Sequence, residues 1–215
     1  MATTPTATNF TVFGIDISRY QGNEINFLNR QVDKLTFIIC KATEGITYTD
    51  SSFKTNWPAI QEKGYVRGAY HFYHCKDDPA KQVANYLGVM GKFSDTDFPP
   101  IVDFEETSID AGVNKANIQT NLLSFLTQLA QKTGRKPLIY TDNNTANAYL
   151  TDPAFASYDL WIADYNKTVT VPTVWKSKTW TFWQQTQNYK LNGQLNDYDV
   201  FNGDTDAFAN FIKSS

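Results

Sequence analysis

Residues 99–107 read PPIVDFEET. Side chains alternate along a strand, so Ile101, Asp103 and Glu105 share one face while Val102 and Phe104 share the other. Apolar residues on both faces mark a strand covered on both sides, as in parallel sheets wrapped by helices. Asp103 and Glu105 then stand at its C-terminal end, with Cα atoms roughly 7 Å apart. In a β/α barrel that end forms the rim where enzymes place their chemistry. Glu106 and Asp110 read as turn or cap residues.

The same rhythm extends to either side. Strands are expected over 12–18 (VFGIDIS), 35–43 (LTFIICKAT), 66–74 (VRGAYHFYH), 99–105 and 137–141 (PLIYT). Helical patterns fall at 23–34, 51–64, 77–91, 114–134 and 143–150. The 77–91 stretch has an Asp cap and a Pro in its first turn, and 114–134 ends in Gly. Pro58 is expected to kink or delimit the helix over 51–64. Beyond 150 the pattern changes. Strands are expected over 159–165, 179–186 and around 197–201, without helical period between them, before a closing helix over 206–213. Five β/α units followed by three strands predict an irregular TIM-like β/α barrel. No Pro, Gly or Ser linker divides the chain, so 13–215 reads as a single catalytic domain behind a flexible, polar arm over 1–12.

Composition narrows the function. The 215-residue chain is 41% hydrophobic with a net charge of −3, and it has no basic block, which argues against nucleic acid or an anionic membrane as partner. No apolar run approaches the roughly 20 residues of a membrane span. MATTPTATNF has neither a basic nor an apolar region of the signal-peptide kind. Cys40 and Cys75 read as buried free thiols, although one disulfide remains open. His71 and His74, three apart on a strand, point to opposite faces, and no EF-hand spacing or P-loop accompanies the acids. No metal or cofactor is therefore expected.

The first strand also carries an acid, Asp16, and near the end of the chain Asp197 and Asp199 share a face. Acids from three strands should converge on one rim. Crowded carboxylates raise one another's pKa, and that keeps one protonated as a general acid near neutral pH.

Together, FGIDISRYQG (13–22), FIICKATEG (37–45), VRGAYHFYH, PPIVDFEE, PLIYT, LWIADY (160–165), FWQQT (182–186) and DYDVFNG (197–203) resemble glycoside hydrolase family 25, the Chalaropsis-type lysozymes. The resemblance runs from about Phe13 to Gly203. It implies the same irregular barrel and an N-acetylmuramidase cutting the β-1,4 bond between N-acetylmuramic acid and N-acetylglucosamine in peptidoglycan. It makes Glu105 the general acid. Asp103 becomes its partner, either attacking the anomeric carbon or steadying the substrate's 2-acetamido group as that group attacks. Asp16 and Asp197 complete an acidic floor, and Asp199 joins them where the family tolerates Asn-like residues.

Other matching residues have two readings each. Tyr70, inward with Phe72, binds the acetamido group or fills the barrel. Glu44 lines the cleft or forms a loop salt bridge. Tyr140, Asp164 and Gln184 bind sugar hydroxyls or are polar rim residues. Trp161 and Trp183 read as packing, with a sugar platform left open for one of them, and Lys41 as the partner of a buried acid. The enzyme is expected to be a monomer and to act outside the cell on peptidoglycan strands, either as a lone catalytic domain or as one from which wall-binding repeats after Ser215 were cut away. Two rival readings share the pattern: a non-catalytic peptidoglycan-binding module, and a hydrolase of another N-acetylated polysaccharide such as chitin.

Overall fold

The computed structural model describes residues 10–22 and 24–214. The chain begins with β1 (Phe13–Ile17), α1 (Glu24–Phe27), α2 (Arg30–Asp33), β2 (Phe37–Glu44) and β3 (Tyr48–Thr49). It continues through α3 (Phe53–Glu62), β4 (Val66–Phe72), α4 (Pro79–Met90), β5 (Ile101–Asp103) and α5 (Lys115–Thr133). It ends with β6 (Leu138–Asp142), α6 (Asn143–Tyr149), β7 (Asp159–Ala163), β8 (Phe182–Leu191), β9 (Gln194–Phe201) and α7 (Thr205–Ser214). The sheet order is β1-β9-β8-β7-β6-β5-β4-β2-β3, and a further β1–β2 pairing closes it into a barrel with β3 outside. Neighbours around the barrel are parallel except at β9, which runs antiparallel to both β8 and β1. This is the irregular TIM-like barrel that the sequence predicts.

Strand alternation sorts the core into two shells. Ile15, Ile38, Val102, Ile139 and Ile162 face outward and pack with Leu122, Phe125, Leu126 and Leu129 of α5 and with the other helices. Phe37, Ile39, Ile101, Leu138, Phe182 and Phe201 face inward. Phe208 and Ile212 of α7 join that inner set, together with Val12 and Phe98, which precede β1 and β5. Helix α7 therefore plugs the N-terminal mouth. The inner aromatics interlock, Phe37 edge-on to Phe182 at 5.5 Å and Phe98 tilted against Phe182 at 5.3 Å between centroids. Each such buried ring contributes roughly 1.5–3 kcal/mol. Gly14 makes room for them: a Cβ there would stand 2.3 Å from the Phe37 carbonyl oxygen.

Local signals set most boundaries. Asp78 accepts from the Lys81 amide and Asn114 from the Asn117 amide, starting α4 and α5, while Gly91 and Gly134 stop them at positive φ. Of the two roles expected of Pro58, the delimiting one is excluded, because α3 runs through it to Glu62. Three expectations need correction. The single helix over 23–34 is two one-turn helices, because Asn29 leaves helical geometry to cap the second. The strand over 99–105 ends at Asp103. Finally, 187–196 is strand: β8 and β9 form a long hairpin through Asn192 and Gly193, at φ 50 and 90. Asn-Gly between alternating residues is a hairpin signal, and a search for helical period passes over it.

Most of the arm expected over 1–12 lies outside the described residues. Its last part is anchored, because Val12 is buried and Phe10 packs edge-on against Trp180 at 5.7 Å. Cys40 and Cys75 are both buried and free. Among the described residues no helix is long and apolar enough to cross a membrane.

Candidate active site

The C-terminal mouth of the barrel opens into a cleft of about 200 Å³. Four carboxylates line it: Asp16, Asp103, Glu105 and Asp197. Antiparallel register sets Asp16 of β1 directly opposite Asp197 of β9. Parallel register sets Asp103 of β5 between Phe72 of β4 and Tyr140 of β6. Glu105 lies beyond the ladder but stays extended, so strand alternation still aims it at the side of Asp103. It caps the short helical turn 106–108, with its own amide donating to Ser108 Oγ at 3.1 Å.

This crowding is held in place by donors. Gln184 Nε2 donates to Asp16 Oδ2 at 2.7 Å. Gln184 Oε1 accepts from the hydroxyls of Tyr140 at 2.9 Å and Tyr165 at 2.8 Å. One amide thus fixes an acid and two ring hydroxyls of the cleft wall. Asp103 Oδ1 is buried with no hydrogen-bond partner. A buried acceptor without a donor costs on the order of 1–3 kcal/mol, the kind of vacancy that a substrate N–H can fill.

Burial and mutual repulsion raise the acids together. Asp16 sits well above the ordinary carboxylate range through burial and the charge of Asp197, and Asp103 through burial and the charge of Glu105. Asp197 is pushed up to about 6 by burial and by Glu105. Glu105 is lifted by burial, opposed by a hydrogen bond from the Thr107 hydroxyl at 3.0 Å and assisted by the charge of Asp142.

Other residues singled out from the sequence fall in different places. Tyr70, Tyr140, Gln184 and Trp161 line the cleft. Asp199 lies beneath it, fully buried, with Oδ1 accepting from Trp161 Nε1 at 2.8 Å. Asp164 accepts from the amides of Asn166 and Thr170 at 3.0 and 2.7 Å, which fixes the loop after β7. That loop borders a second lobe of about 450 Å³, which shares Glu105, Tyr140 and Tyr165 with the first. Glu44 does not line the cleft; it is bound by Lys41 Nζ at 2.6 Å and His74 Nε2 at 2.9 Å. Burial works against its charge, yet those two bonds hold its carboxyl below the ordinary range. Lys41 therefore pairs with a partly exposed acid. Asp110 takes the Lys76 amide at 3.0 Å and its ammonium at 3.2 Å, a bridge between loops. His71 is buried between Thr43 and Gln82, and His74 turns the other way, to Glu44. Trp183 is buried, donating to the Asp164 carbonyl at 2.6 Å.

Sequence reasoning missed Tyr165, Gln187 and Asp142. Tyr165 was legible, since it continues the inward parity of Trp161 two residues past the end of β7. Gln187 was not. Strict alternation from Gln184 turns it outward, but a bulge between Gln184 and Thr186 shifts the register and returns it to the cleft.

Known proteins resemble this chain in architecture and in sequence. The sequence model for glycosyl hydrolases family 25 matches residues 15–194. An N,O-diacetylmuramidase of Arthroderma benhamiae is 30% identical over 216 residues, spanning 94% of this chain and 87% of its own. Lysozyme M1 of Streptomyces globisporus is 31% identical over 204 residues, spanning 89% of this chain and 68% of its own. The crystal structure of a bacterial lysozyme from Streptomyces coelicolor superposes with a TM-score of 0.87 at 26% identity, covering 96% of this chain and 99% of that one. By sequence and by barrel alike, the chain belongs to glycosyl hydrolases family 25 and is a glycoside hydrolase.

Proposed function

We propose that this enzyme is a muramidase, hydrolysing the β-1,4 bond between N-acetylmuramic acid and N-acetylglucosamine in peptidoglycan. The observation that carries the reading is the pairing of Glu105 and Asp103 in one cleft, both raised in pKa, within a family whose relatives include named muramidases. Glycosidic cleavage passes through an oxocarbenium-like state and needs a proton donor on one side with negative charge near the anomeric carbon. Glu105 is the donor: burial raises its carboxyl above the ordinary range, and its place at the open end of β5 lets it reach the leaving oxygen. Asp103 is its partner. Its unpartnered Oδ1 suits the N–H of the sugar's 2-acetamido group, which favours orienting that group as nucleophile over direct attack by Asp103. Asp16 and Asp197 supply the remaining negative charge below the developing cation. Tyr70, Tyr140 and Gln184 shape the wall against the sugar ring. The enzyme acts as a monomer outside the cell.

The test is reducing-end release from purified peptidoglycan, with mass spectrometry of the products from wild type and Glu105→Gln. Fragments ending in reducing N-acetylmuramic acid, lost in the variant by at least 100-fold in rate, are the expected result for a missing general acid. Release of reducing N-acetylglucosamine, or equal rates in the two proteins, refutes the assignment.

A further inference from the structure

Beside the acidic cleft, the rim carries a cation that forms no ion pair among the described residues, although Asp50 lies close enough to act on its charge. Arg19 follows directly on from β1 in a short helical turn, Arg19–Gln21. Its guanidinium lies 5.0 Å from the ring centre of Tyr20 and 5.6 Å from that of Tyr48. It donates to the Tyr20 hydroxyl at 3.2 Å, and among the described residues no carboxylate is within ion-pair distance. Tyr20 is 79% exposed.

The turn is rigidly built for so exposed a feature. The Ser18 amide donates to Gln21 Oε1 at 2.8 Å, and Ser18 Oγ accepts from the Tyr20 amide at 3.3 Å. The Arg19 amide donates to Asp50 Oδ2 at 3.3 Å. The stack is also continuous with the cleft. Tyr48 is paired with Glu44 at the end of β2, and Lys41 lies 5.8 Å from its ring centre. Lys41 in turn is in register with Tyr70, which lines the cleft. A guanidinium beside two rings is suited to bind a carboxylate, because its planar fork matches the carboxylate oxygens and is only weakly hydrated.

We propose that the Arg19–Tyr20–Tyr48 stack binds a carboxylate of the peptide stem carried by muramic acid, so that the enzyme prefers stem-bearing glycan to bare glycan. This rests on the muramidase reading above and adds the part of the substrate that the cleft does not take. The cleft's own carboxylates repel an anionic stem, and the rim cation supplies the compensating charge.

The experiment compares kcat/KM for reducing-end release on two substrates: purified peptidoglycan with intact stems, and the same glycan after an amidase has removed them, which leaves only the lactyl carboxylate on each muramic acid. Arg19→Gln is expected to lower the stemmed-to-bare ratio about fivefold, mainly through KM, the size of one exposed charge-assisted contact. Arg19→Lys, which keeps the charge but loses the fork, should restore at least half of that ratio. An unchanged ratio in Arg19→Gln, with wild type active on both substrates, overturns this inference alone. Equal losses on both substrates, accompanied by a lowered Tm, assign Arg19 a purely structural role and overturn it too. Wild-type inactivity on both substrates overturns the muramidase reading and this inference with it.

Discussion

Replacing Asp197 with Asn should make the protein more stable and less active. Asp197 rises from 3.8 to about 6 through burial and the charge of Glu105. At 1.36 kcal/mol per pKa unit that is roughly 3 kcal/mol of strain in the ionised folded state. The side chain is only half-buried, so water screens part of it, and ~1.5 kcal/mol is the working figure. Among the described residues no donor bonds its carboxylate, so an amide of the same shape forfeits no hydrogen bond. It also removes the charge that pushes Asp16 up. At pH 7.5 the carboxyl is ionised in folded and unfolded chains alike, and the full cost falls on the fold. Below the unfolded value of 3.8 it is protonated in both, and the cost disappears. Thermal unfolding by circular dichroism should therefore show Asp197→Asn melting about 3–6 °C above wild type at pH 7.5, with the gap closing toward zero at pH 3.5. Reducing-end release should fall at least tenfold, the usual exchange between site strain and activity. A Tm at or below wild type at pH 7.5, or a gain of equal size at pH 3.5, would refute an origin in charge repulsion.

Two further perturbations follow from the geometry. Thr107→Val removes the hydroxyl that stabilises ionised Glu105, so the Glu105 pKa rises further and the descending limb of the kcat–pH profile should move to higher pH; a limb that stays put or moves down would contradict Glu105 as the acid. Gly14→Ala drives a Cβ against the Phe37 carbonyl, a backbone atom that cannot rotate away, and should cost about 3 kcal/mol, seen as a Tm about 6–12 °C lower by scanning fluorimetry. An unchanged Tm would show that β1 and β2 can slide apart there.

The barrel was legible because its strands carry apolar residues on both faces and its major helices carry caps. Asp78, Asn114, Gly91 and Gly134 act within one turn of themselves, so the sequence alone places the ends of α4 and α5. Where boundaries depended on partners, reading along the chain failed. β5 stops at Asp103 because Glu105 takes up a capping role, and the β8–β9 hairpin extends past its expected end because each strand supplies the other's ladder bonds.

The acids divide in the same way. Alternation on single strands put Asp16 and Asp103 on inward faces, and closing the barrel then brought both to one cleft with Glu105 and Asp197. That outcome follows from a period of two and a fixed order of strands. Alternation could not say how deep each acid sits. Asp199 shares a face with Asp197 yet lies under the floor, opposite Gly14, bound to Trp161. Glu44 ends an inward strand yet is claimed by Lys41 and His74, and Gln187 reaches the cleft only through a bulge. The sequence by itself determined the barrel and the direction in which its acids point, because those depend on residues a few positions apart. Depth, hydrogen-bond partners and raised pKa values were decided only by the tertiary structure, because each depends on atoms brought together from strands far apart in the chain.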